Sequence, residues 1–451
     1  MIDRDRLAKL TRRELDRFAA AHPLSREFFT RAERSLLGGV PMPWMMLWAG
    51  GFPPFAARAR GARVTDVDGC EYVDLCLGDT GAMTGHSPPA VMEVVREQSE
   101  RGLTTMLPSQ DAILVAEELS RRFGMDRWLF TLSATDANRT ALRIARQITG
   151  RAKVAVFSYC YHGSVDEAFA VRQPDGSTVS RAGNVGPPVD PAETTVAVEF
   201  NDVAGLAAAL RDRSVACVLA EPAMTNMGII LPDGSYHQAL RELTRQTGTL
   251  LIIDETHTLS AGPGGCTAAW SLDPDLVTLG KAIGSGVPCG ALGLSPDVAS
   301  HILTDVEGDY QDTGGVGGTL AGNALSLAAI RATLTHVLTP AAYQHMIPLA
   351  TRFCDGVRQV IADAGAGWHV TQLGCRAEYG FTPDPPLTGS QAHAVSDPEL
   401  ERYFHLHAMN RGVLITPFHN MALMSPATEP ADVDRHTEVF SDAVADLLGG
   451  S

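Results

Sequence analysis

Apolar residues along this chain come in two alternating patterns. Short, almost wholly apolar runs recur at Leu129 to Leu132, at KVAVFS (153–158), at VACVLA, at Leu250 to Ile253 and at Leu276 to Leu279. Such runs are the mark of strands buried on both faces. Between them lie stretches whose apolar residues recur three and four apart, such as Asp136 to Ile148 and Ser235 to Gln246, and these predict amphipathic helices. The alternation runs from about residue 110 to 295 and predicts an α/β domain with a mostly parallel sheet covered by helices on both faces.

On either side the rhythm changes. Residues 1 to about 38 read as one or two amphipathic helices, and Ala62 to Val67, Asp68-Gly69 and Glu71 to Leu77 read as a hairpin. The stretch 171–198 is polar and rich in Pro and Gly, which predicts a long surface loop or lid. From about 336 a smaller α+β domain is expected: helix 340–364, strands near 368–381, helix 397–411, strands at VLITP and MALMSP, and a closing helix from Asp432. The domain limits that follow are 1–90 (helices, a pocket-lining loop and the hairpin, packing with the small domain), 91–335 (large domain) and 336–451 (small domain). A chain of 451 residues is long enough for that division.

Composition narrows the function classes. A formal charge of −16 argues against a nucleic-acid backbone as partner. No apolar run approaches the roughly 20 residues that span a bilayer, and the charged first helix does not read as a secretory leader. Eight cysteines without a C-x-x-C pair predict free thiols, no metal site and a cytoplasmic protein.

The chemistry gathers at strand ends. The run ending at Ile253 stops on Asp254 and Glu255, and the run ending at Leu279 stops on Gly280-Lys281. The carboxyl edge of a parallel sheet is where α/β folds bind ligands. An acid and a lysine held there suit pyridoxal phosphate, whose aldehyde condenses with an amine and whose ring nitrogen stays protonated beside a carboxylate. A helix cap or magnesium ligand, and a surface turn, are the ordinary alternatives for the two. Ser133-Ala134-Thr135 feeds a helix amino terminus, which either holds a phosphate or is merely capped. Tyr161 before Gly163 either covers a flat ring or packs in the core. Glu221 and Asn226 sit at a further strand end, and Thr319 closes a Gly-rich loop that resembles a second anion-binding turn.

Taken together, DVDGCEYVDL, GHSPPAV, LSATDAN, YHG, AEPAMTNMGIILPDG, LLIIDET, PDLVTLGKAIGSGVPCGALG and GGTLAGN resemble, in order and spacing, the class III aminotransferases, nearest to the glutamate-1-semialdehyde aminomutase branch. The likeness runs from about Leu36 to the C-terminal helix. It implies fold type I of the pyridoxal-phosphate enzymes: a large domain with a mostly parallel, seven-stranded-type sheet, and a smaller α+β C-terminal domain. It implies that Lys281 attaches the cofactor and shuttles a proton, and that Asp254 pairs with the ring nitrogen. Tyr161 would stack on the ring with His162 beside it; Ser133, Ala134 and Thr135 would hold the phosphate, with Thr319 reaching in from the other subunit of a homodimer. Asn226 and Thr256 would lie near the ring, with Glu221 behind.

Departures bear on the substrate. Ala134 and Asp136 stand where the family usually has Gly and Glu, and Thr256 where it commonly has Val, with His257 next in the place near the ring's phenolic oxygen. Met45 occupies the position of an arginine that holds the substrate carboxylate in the aminomutases, and His419 falls near a mobile arginine of amine transaminases. Arg376 is the replacement cation, or else a structural one; Trp44 and Met45 suggest an apolar or aromatic substrate. The resulting expectation is an aminotransferase working by a ping-pong mechanism from an amine or amino acid to a keto acid or aldehyde. The alternatives are an aminomutase or racemase on the same scaffold, and a catalytically silent binding protein of this fold.

Overall fold

The computed structural model describes residues 2–305 and 316–449. The first half of the Gly-rich loop before Thr319 lies outside the described residues. The chain divides into two compact units: Met1–Pro88 with Ala341–Pro385 and Val395–Ser451, and Pro89–Pro340 with Pro386–Ala394.

The second unit is built on seven strands, numbered here along the chain: β1 (Arg127–Thr131), β2 (Lys153–Phe157), β3 (Thr195–Val198), β4 (Val215–Ala220), β5 (Leu250–Asp254), β6 (Leu276–Gly280) and β7 (Gly290–Leu294). Their order across the sheet is β1-β7-β6-β5-β4-β2-β3. β7 is antiparallel to both its neighbours, while β6, β5, β4, β2 and β3 pair parallel. Ile252, Ile253 and Asp254 lie opposite Leu276, Val277 and Thr278, so β5 and β6 end side by side. β4 reads VACVLA and is buried at every position. That is why it carries no polar alternation: both faces meet helices, and each buried Val or Leu contributes about 1.5–3 kcal/mol.

Helix Ala134–Thr149 follows β1 directly. Ser133 caps it by accepting from the Asp136 N–H, and Gly150, in the left-handed region, ends it. The turn read from the sequence is therefore the helix's own first turn. Its inward face is Ala137, Asn138, Ala141, Leu142, Ile144 and Ala145.

The stretch 171–198 differs from the expected loop. Ala170–Arg172 and Thr178–Ser180 form a two-stranded ladder, and Thr195–Val198 is the edge strand β3. The Pro/Gly-rich run before it masked a four-residue strand too short to show a period.

In the first unit, strands Ala56–Arg60, Arg63–Asp66 and Glu71–Asp74 form a sheet completed by Val413–Leu414, so the expected hairpin has an extra strand before it. A second sheet joins His369–Leu373, Arg376–Gly380 and Met421–Leu423. Phe18, Phe52, Tyr72, Leu406, Met409 and Leu414 share one apolar core, which fixes helix Arg4–Ala21 within this unit.

Candidate functional site

Asp254 ends β5 with its carboxylate buried, and every contact it makes favours a negative charge. The Thr256 N–H (3.0 Å) and hydroxyl (2.5 Å) donate to Oδ1. The Asn138 amide donates to Oδ2 at 2.7 Å, and His162 Nδ1 lies 2.9 Å from the same oxygen. Burial pushes the Asp254 pKa up, but the hydrogen bonds and charge of His162, with those of Thr256 and Asn138, bring it down to about 2. Burial likewise opposes a charge on His162, yet Cys160 and Asp254 raise its proton affinity well above that of an ordinary imidazole. The pair is thus an ion pair in a dry setting. Asn138 is itself fixed by the Thr278 hydroxyl at 2.7 Å, and it also donates to the His162 carbonyl at 3.1 Å.

The neighbouring acid does something else. Alternation along the strand turns Glu255 to the other side, where it accepts from Thr258 Oγ1, from both the N–H and hydroxyl of Thr267, and from the Cys266 N–H. Gly265 leaves room for it, since a Cβ there would lie 2.3 Å from Glu255 Oε2. Glu255 ties down the loop 256–267, and Asp254 is left as the acid of the site.

Lys281 follows β6 with φ of +49°, an unusual conformation for a lysine. It is one of only three lysines in the chain, with Lys9 and Lys153. Its Nζ lies 2.6 Å from His257 Nε2. Gly280 just before it admits the first turn of helix Ala134–Thr149, because a Cβ there would meet Ala134 Cβ at 2.8 Å. A Cβ on Gly163, at φ +78°, would lie 2.0 Å from Thr135 Oγ1. The turn 133–135 is therefore packed between the end of β6 and the 161–163 loop. The N–H groups of a helix's first turn have no intrahelical acceptor and carry partial positive charge, which suits a phosphate. The Ser133 hydroxyl is engaged in capping, 3.2 Å from the Asp136 nitrogen.

Other expected residues flank this edge. Tyr161 meets Phe169 edge-to-face at 6.3 Å. The Asn226 amide donates to the Tyr159 carbonyl at 2.8 Å. Glu221, at the end of β4, accepts from Thr225 Oγ1 at 2.5 Å, and burial lifts its pKa to about 7. Thr319 sits on an exposed turn.

The residues considered for substrate belong to the first unit. Trp44 meets Phe418 edge-to-face at 4.7 Å, and Met45 is 40% exposed. Arg376 is fully buried, 3.5 Å from the Asp79 carboxylate. His419 Nδ1 lies 3.4 Å from Glu378. Arg376 and His419 thus each face an acid of their own unit.

Two residues of the second unit had not been singled out from the sequence: Asn138 and Thr278, which hold Asp254 in place. Their signal is present in hindsight, since a buried Asn on the apolar face of a helix and a Thr inside a buried strand need partners.

The residues fit pyridoxal phosphate. A buried carboxylate held ionised, a lysine at the next strand end, and a helix amino terminus closed in by two glycines supply the donor set that group requires. No helix among the described residues is long and apolar enough to cross a membrane.

Comparison with known proteins gives a consistent result. The family described as "Aminotransferase class-III" matches residues 48–444. A glutamate-1-semialdehyde 2,1-aminomutase from Sorangium cellulosum is 35% identical over 430 residues, covering 94% of this chain and 96% of that protein. A crystal structure of a glutamate-1-semialdehyde-aminomutase from Pseudomonas aeruginosa PAO1, a lysine-to-alanine variant in complex with PMP, superposes with a TM-score of 0.97 at 47% identity, covering 99% of each chain. An omega-transaminase from Sphaerobacter thermophilus superposes with a TM-score of 0.86 at 31% identity, covering 94% of this chain and 98% of that one.

Proposed function

The chain belongs to the class III aminotransferases, a family of pyridoxal-phosphate enzymes of fold type I, and from that premise we propose that it is an aminomutase, returning the amino group to the carbon skeleton it came from. The observation that carries this reading is the full-length likeness to aminomutases, 47% identical in the solved case.

When bound, pyridoxal phosphate supplies an aldehyde that captures amines and a cationic ring that draws off the electron pair left by C–H cleavage. The chain's part is placement and proton handling. Asp254, kept ionised by His162, Thr256 and Asn138, holds a proton on a ring nitrogen beside it. The first turn of Ala134–Thr149 binds the phosphate. Lys281 would attach the cofactor and, when released, would carry a proton between the substrate carbon that bears nitrogen and the cofactor's C4′. Thr319 completes the phosphate site of the other subunit in a homodimer. Leu103, Met106, Leu107, Ile113 and Leu320, all exposed in the single chain, support such an interface.

A second reading rests on Met45. With methionine where the aminomutases carry a carboxylate-binding arginine, an aminotransferase acting on an apolar or aromatic amine fits the Trp44–Met45 segment better than glutamate 1-semialdehyde does. One experiment separates the two. Holoenzyme is given glutamate 1-semialdehyde alone, then a panel of amines with and without a keto acid, with ¹⁵N on the donor. An aminomutase returns the label to the same skeleton and releases no keto product beyond one equivalent per site. Turnover that requires a keto-acid acceptor, with parallel double-reciprocal plots, overturns the aminomutase reading in favour of the aminotransferase.

A further inference from the structure

We propose that His257 is the proton partner of Lys281, taking a proton from the lysine ammonium so that the amine is free to condense with the cofactor's aldehyde, and giving it back when the lysine is released. The inference rests on the family reading of Lys281 and adds a second acid–base group that this reading does not contain.

The geometry carries it. Lys281 Nζ and His257 Nε2 are 2.6 Å apart. At that separation an imidazolium N–H and an ammonium cannot face one another, so one nitrogen must present a lone pair to the other's proton. The two nitrogens therefore share one proton between them. In the transfer the lysine N–H bond breaks, its electron pair stays on Nζ, and the proton forms a new bond to Nε2; nothing is oxidised or reduced.

Both partners are held from behind, so the contact is not a chance meeting of flexible ends. His257 follows Thr256, whose N–H and hydroxyl are both bound to Asp254, and it leads into a short helix, Thr258–Ala261, in which the Leu259 N–H returns to the Glu255 carbonyl at 3.0 Å. Lys281 follows Gly280, which is closed against Ala134. The other titratable groups of this sheet edge have their own partners: Asp254 bonds His162, Asn138 and Thr256, Glu255 bonds Thr258 and Thr267, and Glu221 bonds Thr225. His257 and Lys281 are both only partly buried, so a proton can also leave to solvent. A side chain of similar reach without a titratable ring fills the place but does not move the proton.

The small number of lysines makes the test clean. Full-length apoenzyme is treated with an amine-acetylating reagent, and the rate at Lys9, Lys153 and Lys281 is followed by peptide mass spectrometry in wild type and His257→Gln. Near pH 7 the wild-type Lys281 should react on the order of 10-fold or more faster than in the variant, since a positioned base removes the proton that blocks attack. Near pH 10, where lysine amines in general no longer need a base, the two rates should meet to within about twofold. Lys9 and Lys153 should not change and serve as the check on folding; if His257→Gln fails that check, His257→Asn replaces it. Equal rates for Lys281 near pH 7 overturn the proposal, and so does a difference that persists near pH 10, which would mean packing rather than proton transfer. Failure of the family reading shows separately: borohydride applied to wild-type holoenzyme would then leave no cofactor on Lys281.

Discussion

Asn138→Leu is the most informative single change in the second unit. Leucine keeps the branched shape of the side chain and removes only its polar atoms. Three hydrogen bonds go with them: to Asp254 Oδ2 at 2.7 Å, to the His162 carbonyl at 3.1 Å, and from the Thr278 hydroxyl at 2.7 Å. The bond to a charged acceptor is worth about 1.5–3 kcal/mol and the two neutral ones about 1 each, so the change should cost about 4 kcal/mol. Two of its three partners, Asp254 and Thr278, lie side by side on β5 and β6, and the loss should therefore appear there. Hydrogen exchange by mass spectrometry on peptides covering Leu250–Asp254 and Leu276–Gly280 is the assay. At about 1.4 kcal/mol per factor of ten, protection should fall roughly 10²- to 10³-fold in both. Thr278→Val alone removes one neutral bond and should lower protection by roughly fivefold, yet it should add almost nothing on top of Asn138→Leu, because its partner is already gone. A loss under about threefold in Asn138→Leu, or fully additive effects in the double variant, would refute the claim that this network holds Asp254.

Other consequences are as direct. In Gly163→Ala the new methyl meets Thr135, displacing the turn proposed to bind the phosphate; overpacking of this kind costs about 1–3 kcal/mol and should raise the cofactor Kd roughly 10- to 100-fold, read by equilibrium titration, whereas an unchanged Kd would contradict the proposed role of the turn. Burial lowers the pKa of His436 to about 3 and that of His405 to about 4. Their folded values lie below the unfolded one, so the unfolded chain binds more protons and stability declines as pH falls from about 6.5 towards 4, by up to about 1.4 kcal/mol per pH unit for each ring. Urea midpoints across that window should slope less steeply in His436→Phe; an identical slope would show that this ring does not take part.

Much of the site was legible in the sequence because its parts lie where a strand stops. A wholly apolar run ending in Asp254, and another ending in Lys281, place both at one edge by the parallel pairing of β5 with β6. The hidden parts have physical reasons. β3 is four residues long and follows a Pro/Gly-rich run, so no period could mark it. Asn138 and Thr278 act through each other across 140 positions, so the local sequence shows that each needs a partner but not which residue it is. The 2.6 Å approach of His257 to Lys281 depends on how the 256–267 loop is tied by Glu255, a carboxylate that looks identical to Asp254 until alternation assigns each its side.

The central claim is that one particular amine carries the cofactor. Borohydride reduction of the holoenzyme, followed by proteolysis and mass mapping, tests it directly. The account predicts a reduced phosphopyridoxyl mass on the peptide containing Lys281 and none on those containing Lys9 or Lys153. Label on either of those two, or on no lysine at all, would contradict it.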